Sequence, residues 1–157
     1  MNTDVRPLIK TSMDNVLLVG NNPIELSKML EMLSNVPGHK IVTEIAFDVQ
    51  TILERLLRFT PNFIFIDDNI GDKKLGQTVY SLSHHRKTRN IPITVLKNSN
   101  YHQTVISADI MDYVLKQNLT SEALYNSLQN SLKFRMARIY LAKAYRERKK
   151  QLLRLVR

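Results

Sequence analysis

Few side chains in this 157-residue chain are equipped for chemistry, and most of them sit where an apolar run gives way to polar residues. Asp67, Asp68 and Asn69 follow the run at 62–66. Lys97 and Asn98 follow 93–96, and Lys116 and Gln117 follow 113–115. Gly20, Asn21 and Asn22 follow 16–19, in a turn with no charge at all. A carboxylate pair and two ammonium groups are the makings of an ion-pair centre, because a nearby ammonium favours the ionised, paired carboxylate. The uncharged turn raises a question: a strand end of this kind is where ligands are usually held, and this one has no charged group to hold them with.

The elements that must position these residues are legible as two alternating patterns. Five short apolar runs recur, "VLLV" (16–19), "IVTEIAF" (41–47), "NFIFI" (62–66), "ITVL" (93–96) and "YVL" (113–115). The first and third are continuously apolar, as in strands covered on both faces of a parallel sheet. Between the runs lie amphipathic stretches. One places Leu26, Met29, Leu30 and Leu33 on a single face, and another places Ile52, Leu56 and Phe59 together. "LGQTVYSLSHHRKT" and the short "YHQTVISADI" follow more weakly. Pro61 and Pro92 stop helices or feed strands. A last helix starts at Thr120 or Ser121 and meets no Gly or Pro through Arg157. Alternation of this kind predicts an α/β fold, an open parallel sheet with helices on both faces. Ligand chemistry in such folds sits at the carboxyl ends of the strands.

Composition narrows the classes. The chain has no cysteine, which excludes a disulfide scaffold, a cysteine zinc site and a cysteine nucleophile. No run approaches the roughly 18 apolar residues of a membrane span. Residues 1–14 contain no apolar core of a secretory signal, so a cytoplasmic location is expected. The net charge of +9 is localised. Over residues 1–132, thirteen Lys/Arg balance thirteen Asp/Glu. Residues 133–157 hold ten Lys/Arg against Glu147 alone. His84 and His85, neighbours on a helix, do not share a face and read as solvated surface, as do the isolated His39 and His102.

Four strand ends together resemble the receiver domain of two-component response regulators, over roughly residues 14–132. The family's first strand ends V-D-D-N-P where this chain has Val19-Gly20-Asn21-Asn22-Pro23; "PNFIFIDD", "PITVLKN" and "DYVLKQ" match its third, fourth and fifth. The resemblance implies a flavodoxin-like (βα)5 fold with the last helix extended. It makes Asp67 the phosphoacceptor position and Lys116 the lysine that pairs with phosphoryl oxygens. It puts Lys97 where the family has a Thr or Ser, and Tyr113 at the switch aromatic. The metal positions become Gly20, Asn21, Asp67 and Asn69. Mg²⁺ prefers hard anionic oxygens, yet Gly20 offers no side chain and Asn21 only a neutral carbonyl. The expectation is a pseudo-receiver without efficient Mg²⁺-dependent phosphorylation, in which Lys97 takes part of the metal site and pairs with Asp67. A working phospho-accepting receiver at Asp67 is the alternative, and Mg²⁺ is a cofactor only in that case.

The domain reading is a leader at 1–13, a receiver-like body at 14–132 and a basic helical extension at 133–157. Phe134, Leu141, Arg148 and Leu155 recur every seven residues, with Tyr145 and Leu152 beside them, an imperfect seam for a partner helix. The expected role is not enzymatic. It is signalling by protein–protein contact with a sensor kinase or another signalling protein, with homodimerisation through the extended helix and an output domain outside the chain. The basic tail also admits nucleic acid or an anionic membrane surface as partner. Nucleic acid ranks last, because no helix-turn-helix segment is present to read bases.

Overall fold

The computed structural model describes residues 12–98 and 107–156. Five strands form one sheet: β1 (Ser12–Val19), β2 (His39–Ala46), β3 (Phe63–Asp67), β4 (Ile93–Lys97) and β5 (Ile110–Leu115). Their spatial order is β2-β1-β3-β4-β5 and every pairing is parallel. The helices are α1 (Pro23–Ser34), α2 (Val49–Leu56), α3 (Asp72–His84) and α4 (Ser121–Leu155). This is the open parallel sheet expected of the alternating pattern, in the flavodoxin-like arrangement that the resemblance implies.

Alternation along the strands sorts the core into two halves. Leu17, Val19, Ile64, Ile66, Ile93 and Val95 pack with Ile52 and Leu56 of α2 and with Leu75, Val79 and Leu82 of α3. Val16, Leu18, Phe63, Phe65 and Leu96 pack on the other side with Leu26, Met29 and Leu33 of α1 and with Leu124 and Leu128 of α4. Because side chains alternate with period 2, both faces of β1 and β3 must be apolar, and that is why these strands read as unbroken hydrophobic runs.

Local chemistry sets the helix starts. Asn22 caps α1, its side chain accepting from Ile24 N and Glu25 N, with Pro23 opening the helix where no N–H is needed. Asp48 caps α2 through Thr51 N, and Thr120 caps α4 through Ala123 N. Boundaries differ from expectation at the strands. β1 begins at Ser12 and β5 at Ile110, while β3 shifts by one residue to include Asp67. Polar residues such as Asp14 and Asp112 sit inside these strands because ladder pairing, rather than side-chain hydrophobicity, carries the strand to its ends. The helix expected in "YHQTVISADI" falls largely on residues outside those described, and its last residue, Ile110, opens β5.

α4 runs for 35 residues, about 52 Å at 1.5 Å per residue. Its first turns bury Leu124, Ser127, Leu128 and Ser131; Ile139, Leu141, Tyr145 and Leu152 are exposed. Leu56→Ala and Leu128→Ala are each expected to cost about 2–5 kcal/mol, one from each half of the core. Chemical denaturation measures this. A loss under about 1 kcal/mol at Leu128 would mean that the base of α4 is not part of the packed body.

Candidate functional site

The carboxyl ends of β1, β3, β4 and β5 meet on one rim. Asp67 continues the face of Phe63 and Phe65, so it points to the side covered by α1 and α4, and it is only 2% exposed. Its Oδ1 accepts from the backbone N–H of Asn69 at 3.0 Å. Lys116 follows Val114, which packs in the same half of the core. Its Nζ lies 2.5 Å from Asp67 Oδ1.

The second partner of that ammonium is Glu25, on the first turn of α1. Glu25 Oε2 is 2.6 Å from Lys116 Nζ and also accepts from Asn69 Nδ2 at 2.8 Å. Four residues from three separate parts of the chain therefore close a ring: Asp67, Lys116, Glu25 and Asn69. The Asn69 amide turns its nitrogen to Glu25, and its buried Oδ1 has no hydrogen-bond partner among the described residues.

Two carboxylates share one ammonium, and their titrations separate accordingly. Burial holds the Asp67 carboxyl above its ordinary value; Lys116 and the Asn69 N–H pull against that, and the Glu25 charge adds to it. The hydrogen bond from Lys116 holds Glu25 below its ordinary value, with burial opposing.

The residues singled out from the sequence divide. Asp67, Lys116 and Asn69 are brought together. Lys97 does not make the ion pair expected of it: among the described residues the cation on Asp67 is Lys116. Strand geometry accounts for this. Leu96 is the ladder partner of Asp67, and alternation sets Lys97 with Ile93 and Val95, toward the opposite half of the core. Tyr113 also packs against that opposite half. Asn21 is exposed at the turn. Gly20 is buried, and a Cβ there would stand 2.8 Å from Leu26 Cδ2 and 3.3 Å from Asp67 Cβ. The space beside Asp67 at that strand end is thus occupied by Leu26. His84 stacks on Tyr80, with ring centroids 4.0 Å apart, and bonds its carbonyl, well away from the rim.

One participant escaped the sequence reading, and one rim residue it named, Asp68, lies outside the ring. Glu25 precedes Leu26 and lies one turn before Met29, at the margin of the apolar face of α1; a carboxylate there, just after the first strand, was the available signal. Asp68 turns away from the ring and accepts from Asn98 N and Nδ2 at 3.1 and 2.8 Å, pinning the end of β4 to the end of β3. Among the described residues no group of three or more His, Asp or Glu side chains is disposed to hold a metal ion.

Lys116→Met is expected to cost about 3–5 kcal/mol at neutral pH, since it strands two carboxylates. The cost shrinks in acid as they take up protons. Asp67→Asn carries the opposite signature. A carboxyl whose folded pKa is raised loses stability as pH climbs from its ordinary 3.8 through the folded value. The variant should therefore gain on the wild type over that window, as read by thermal melts across a pH series. A parallel pH profile for the two proteins would contradict the burial of an ionised Asp67.

No family model matches the chain, and no curated protein matches its sequence. Its structure is similar to solved ones. The receiver domain of the sensor histidine kinase PA1611 from Pseudomonas aeruginosa PAO1, solved with magnesium in its active-site cleft, superposes with a TM-score of 0.66 at 18% identity, covering 78% of this chain and 99% of that one. The signal receiver domain of an HD domain-containing protein from Pseudomonas fluorescens Pf-5 gives 0.65 at 14% identity, covering 80% and 99%. A chain in which a yeast Spc42 trimeric coiled-coil segment is fused to another protein gives 0.68 at 17% identity, covering 94% and 99%. At these identities the likeness is one of fold: the chain has the parallel five-stranded fold of two-component receiver domains.

Proposed function

We propose that the chain is a receiver-like signalling module that acts by protein–protein contact, without efficient Mg²⁺-dependent phosphorylation of Asp67. The observation that carries this reading is the position of Lys116 Nζ, 2.5 Å from Asp67 and 2.6 Å from Glu25. A divalent ion that supports phosphoryl transfer has to neutralise developing charge beside the acceptor. At this rim an ammonium already stands between the two carboxylates, and the first turn adds only Gly20 and the neutral Asn21. Asn69 is engaged with Glu25 through its amide nitrogen. This donor set does not fit the hard, anionic, near-octahedral shell that Mg²⁺ requires.

The partners are a sensor kinase or another signalling protein of a two-component-type pathway, in the cytoplasm, and a second copy of the chain. No described helix is long and apolar enough to cross a membrane. The distal part of α4 presents exposed Phe134, Leu141, Tyr145 and Leu152 along one stripe. Helical spacing puts Lys143, Arg146, Lys150 and Arg154 on the opposite side. Two copies can pair through the stripe while their basic sides face away from each other. In this reading α4 connects the body to an output element.

Incubating the protein with acetyl phosphate and Mg²⁺ and weighing it intact by mass spectrometry tests the first half. The expected result is less than a tenth of the chains carrying phosphate. Stoichiometric acid-labile phosphate on Asp67 would instead make the chain a working phospho-switch. Sedimentation of the full chain tests the second half. A dimer that becomes monomeric in Leu141→Glu/Leu152→Glu is expected, and a monomeric wild type at high micromolar concentration would refute pairing through α4.

A further inference from the structure

We propose that the Glu25 carboxylate is a built-in anion, filling an oxyanion site formed by Lys116 and Asn69 that would otherwise accept a small anion of the phosphate class. The inference stands on the geometry of the ring and does not depend on the partners proposed above.

Three observations carry it. The first is convergence on one atom: Glu25 Oε2 takes Lys116 Nζ at 2.6 Å and Asn69 Nδ2 at 2.8 Å. Two donors from different loops aimed at one oxygen make an anion site, and charge-assisted bonds of this kind are the strong ones. The Asn69 amide directs its nitrogen, not its oxygen, at Glu25.

The second is the layering of the ring. Asp67 lies at the bottom, its side chain 2% exposed; Lys116 is next at 16%; Glu25 is outermost at 35%. Glu25 therefore reaches the two donors from the solvent side, the side from which a diffusible anion would also arrive. A cavity of about 290 Å³ opens beside it, lined by Glu25, Lys28, Asp67, Lys116 and Asn98, among others. That is many times the roughly 30 Å³ share of one water molecule. Space alone does not keep an anion out.

The third is charge. With Glu25 in place, two carboxylates face one ammonium and the ring carries a net negative charge. With Glu25 removed, Asp67 and Lys116 cancel. Asn69 Nδ2 and the ammonium's remaining donor capacity are then open, and Lys28 stands on the cavity wall as a second cation. The same pocket changes from one that repels phosphate to one that attracts it. Glu25 thereby keeps Lys116 in an anion-engaged arrangement with no added group.

The test is non-covalent binding of inorganic phosphate to the full chain, read by calorimetric titration without Mg²⁺. Wild type is expected to bind no tighter than 10 mM. Glu25→Ala should bind at least tenfold more tightly, and Glu25→Ala/Lys116→Met should lose that gain. Glu25→Gln, which keeps the side chain's length and drops its charge, should show a smaller gain, and it serves if the alanine variant does not fold. Equal binding by wild type and both Glu25 variants would overturn the proposal, as would binding that survives loss of Lys116. Because no phosphoryl group is transferred in this experiment, its failure is distinguishable from phosphorylation of Asp67, which would overturn the proposed function instead.

Discussion

The ammonium of Lys116 is the group around which the strand-end rim is organised. It is held 2.5 Å from a carboxylate that is almost wholly buried and 2.6 Å from one that is partly exposed. Ionising Asp67 away from solvent is costly, and the pairing is what makes that tolerable. The arrangement constrains more than two residues. It fixes how far β5 must extend to deliver Lys116, and how α1 must start to deliver Glu25. Asn22 and Pro23 serve the second requirement: the cap and the proline set the first turn of α1, and Glu25 is the third residue of that turn. The polar turn after β1 thus keeps a structural task, starting α1 in the right place, while offering no charge of its own.

Period-2 alternation decides which rim residues can meet. Asp67 follows Phe63 and Phe65, and Lys116 follows Val114, all in the half of the core that α1 and α4 cover. Lys97 follows Ile93 and Val95, and Tyr113 packs with them, in the other half. A rim residue's neighbours are therefore chosen by the parity of its strand. Gly20 adds a steric constraint of its own. Leu26 lies where a side chain at position 20 would start, so an acid there would have to displace a core residue as well as add a charge.

The parallel sheet, its helices on both faces and the inward residues of α1 and α2 were legible in the sequence. Leu26, Met29, Leu33, Ile52 and Leu56 are buried where periodicity put them, while Leu30 and Phe59 are half-buried. Apolar spacing reports burial directly, and burial is what holds these helices. Asp67, Lys116 and Asn69 were also legible as rim residues, because strand ends are visible as the point where apolar runs stop. The cation on Asp67 was not: Lys97 was expected and Lys116 is found, since proximity along a rim says nothing about which face each strand presents. Glu25 was missed for a related reason. It lies on a helix, not at a strand end, and an acid in a first helical turn is ordinarily read as a dipole partner. Only the three-dimensional approach of β5 to α1 gives it a second role.

The long helix raises a question of energetics that bears on the rim. Beyond its anchored base, α4 carries mostly strong helix formers, but Arg146, Lys150 and Arg154 repeat like charges at four-residue spacing. Such pairs weaken an isolated helix by about 0.2–0.5 kcal/mol each, and most helical stability in proteins comes from packing rather than propensity. The distal half of α4, whose Leu141, Tyr145 and Leu152 are exposed, has no such packing from the described body. The base of the same helix is bonded to α1: Ser121 Oγ donates to the carbonyl of Met32 at 3.1 Å, and Leu124 and Leu128 pack with Met29 and Leu33. α1 is the helix whose first turn holds Glu25 on Lys116. The exposed apolar stripe of α4 and the ion-pair ring at the strand ends are thus joined through a single packed helix pair.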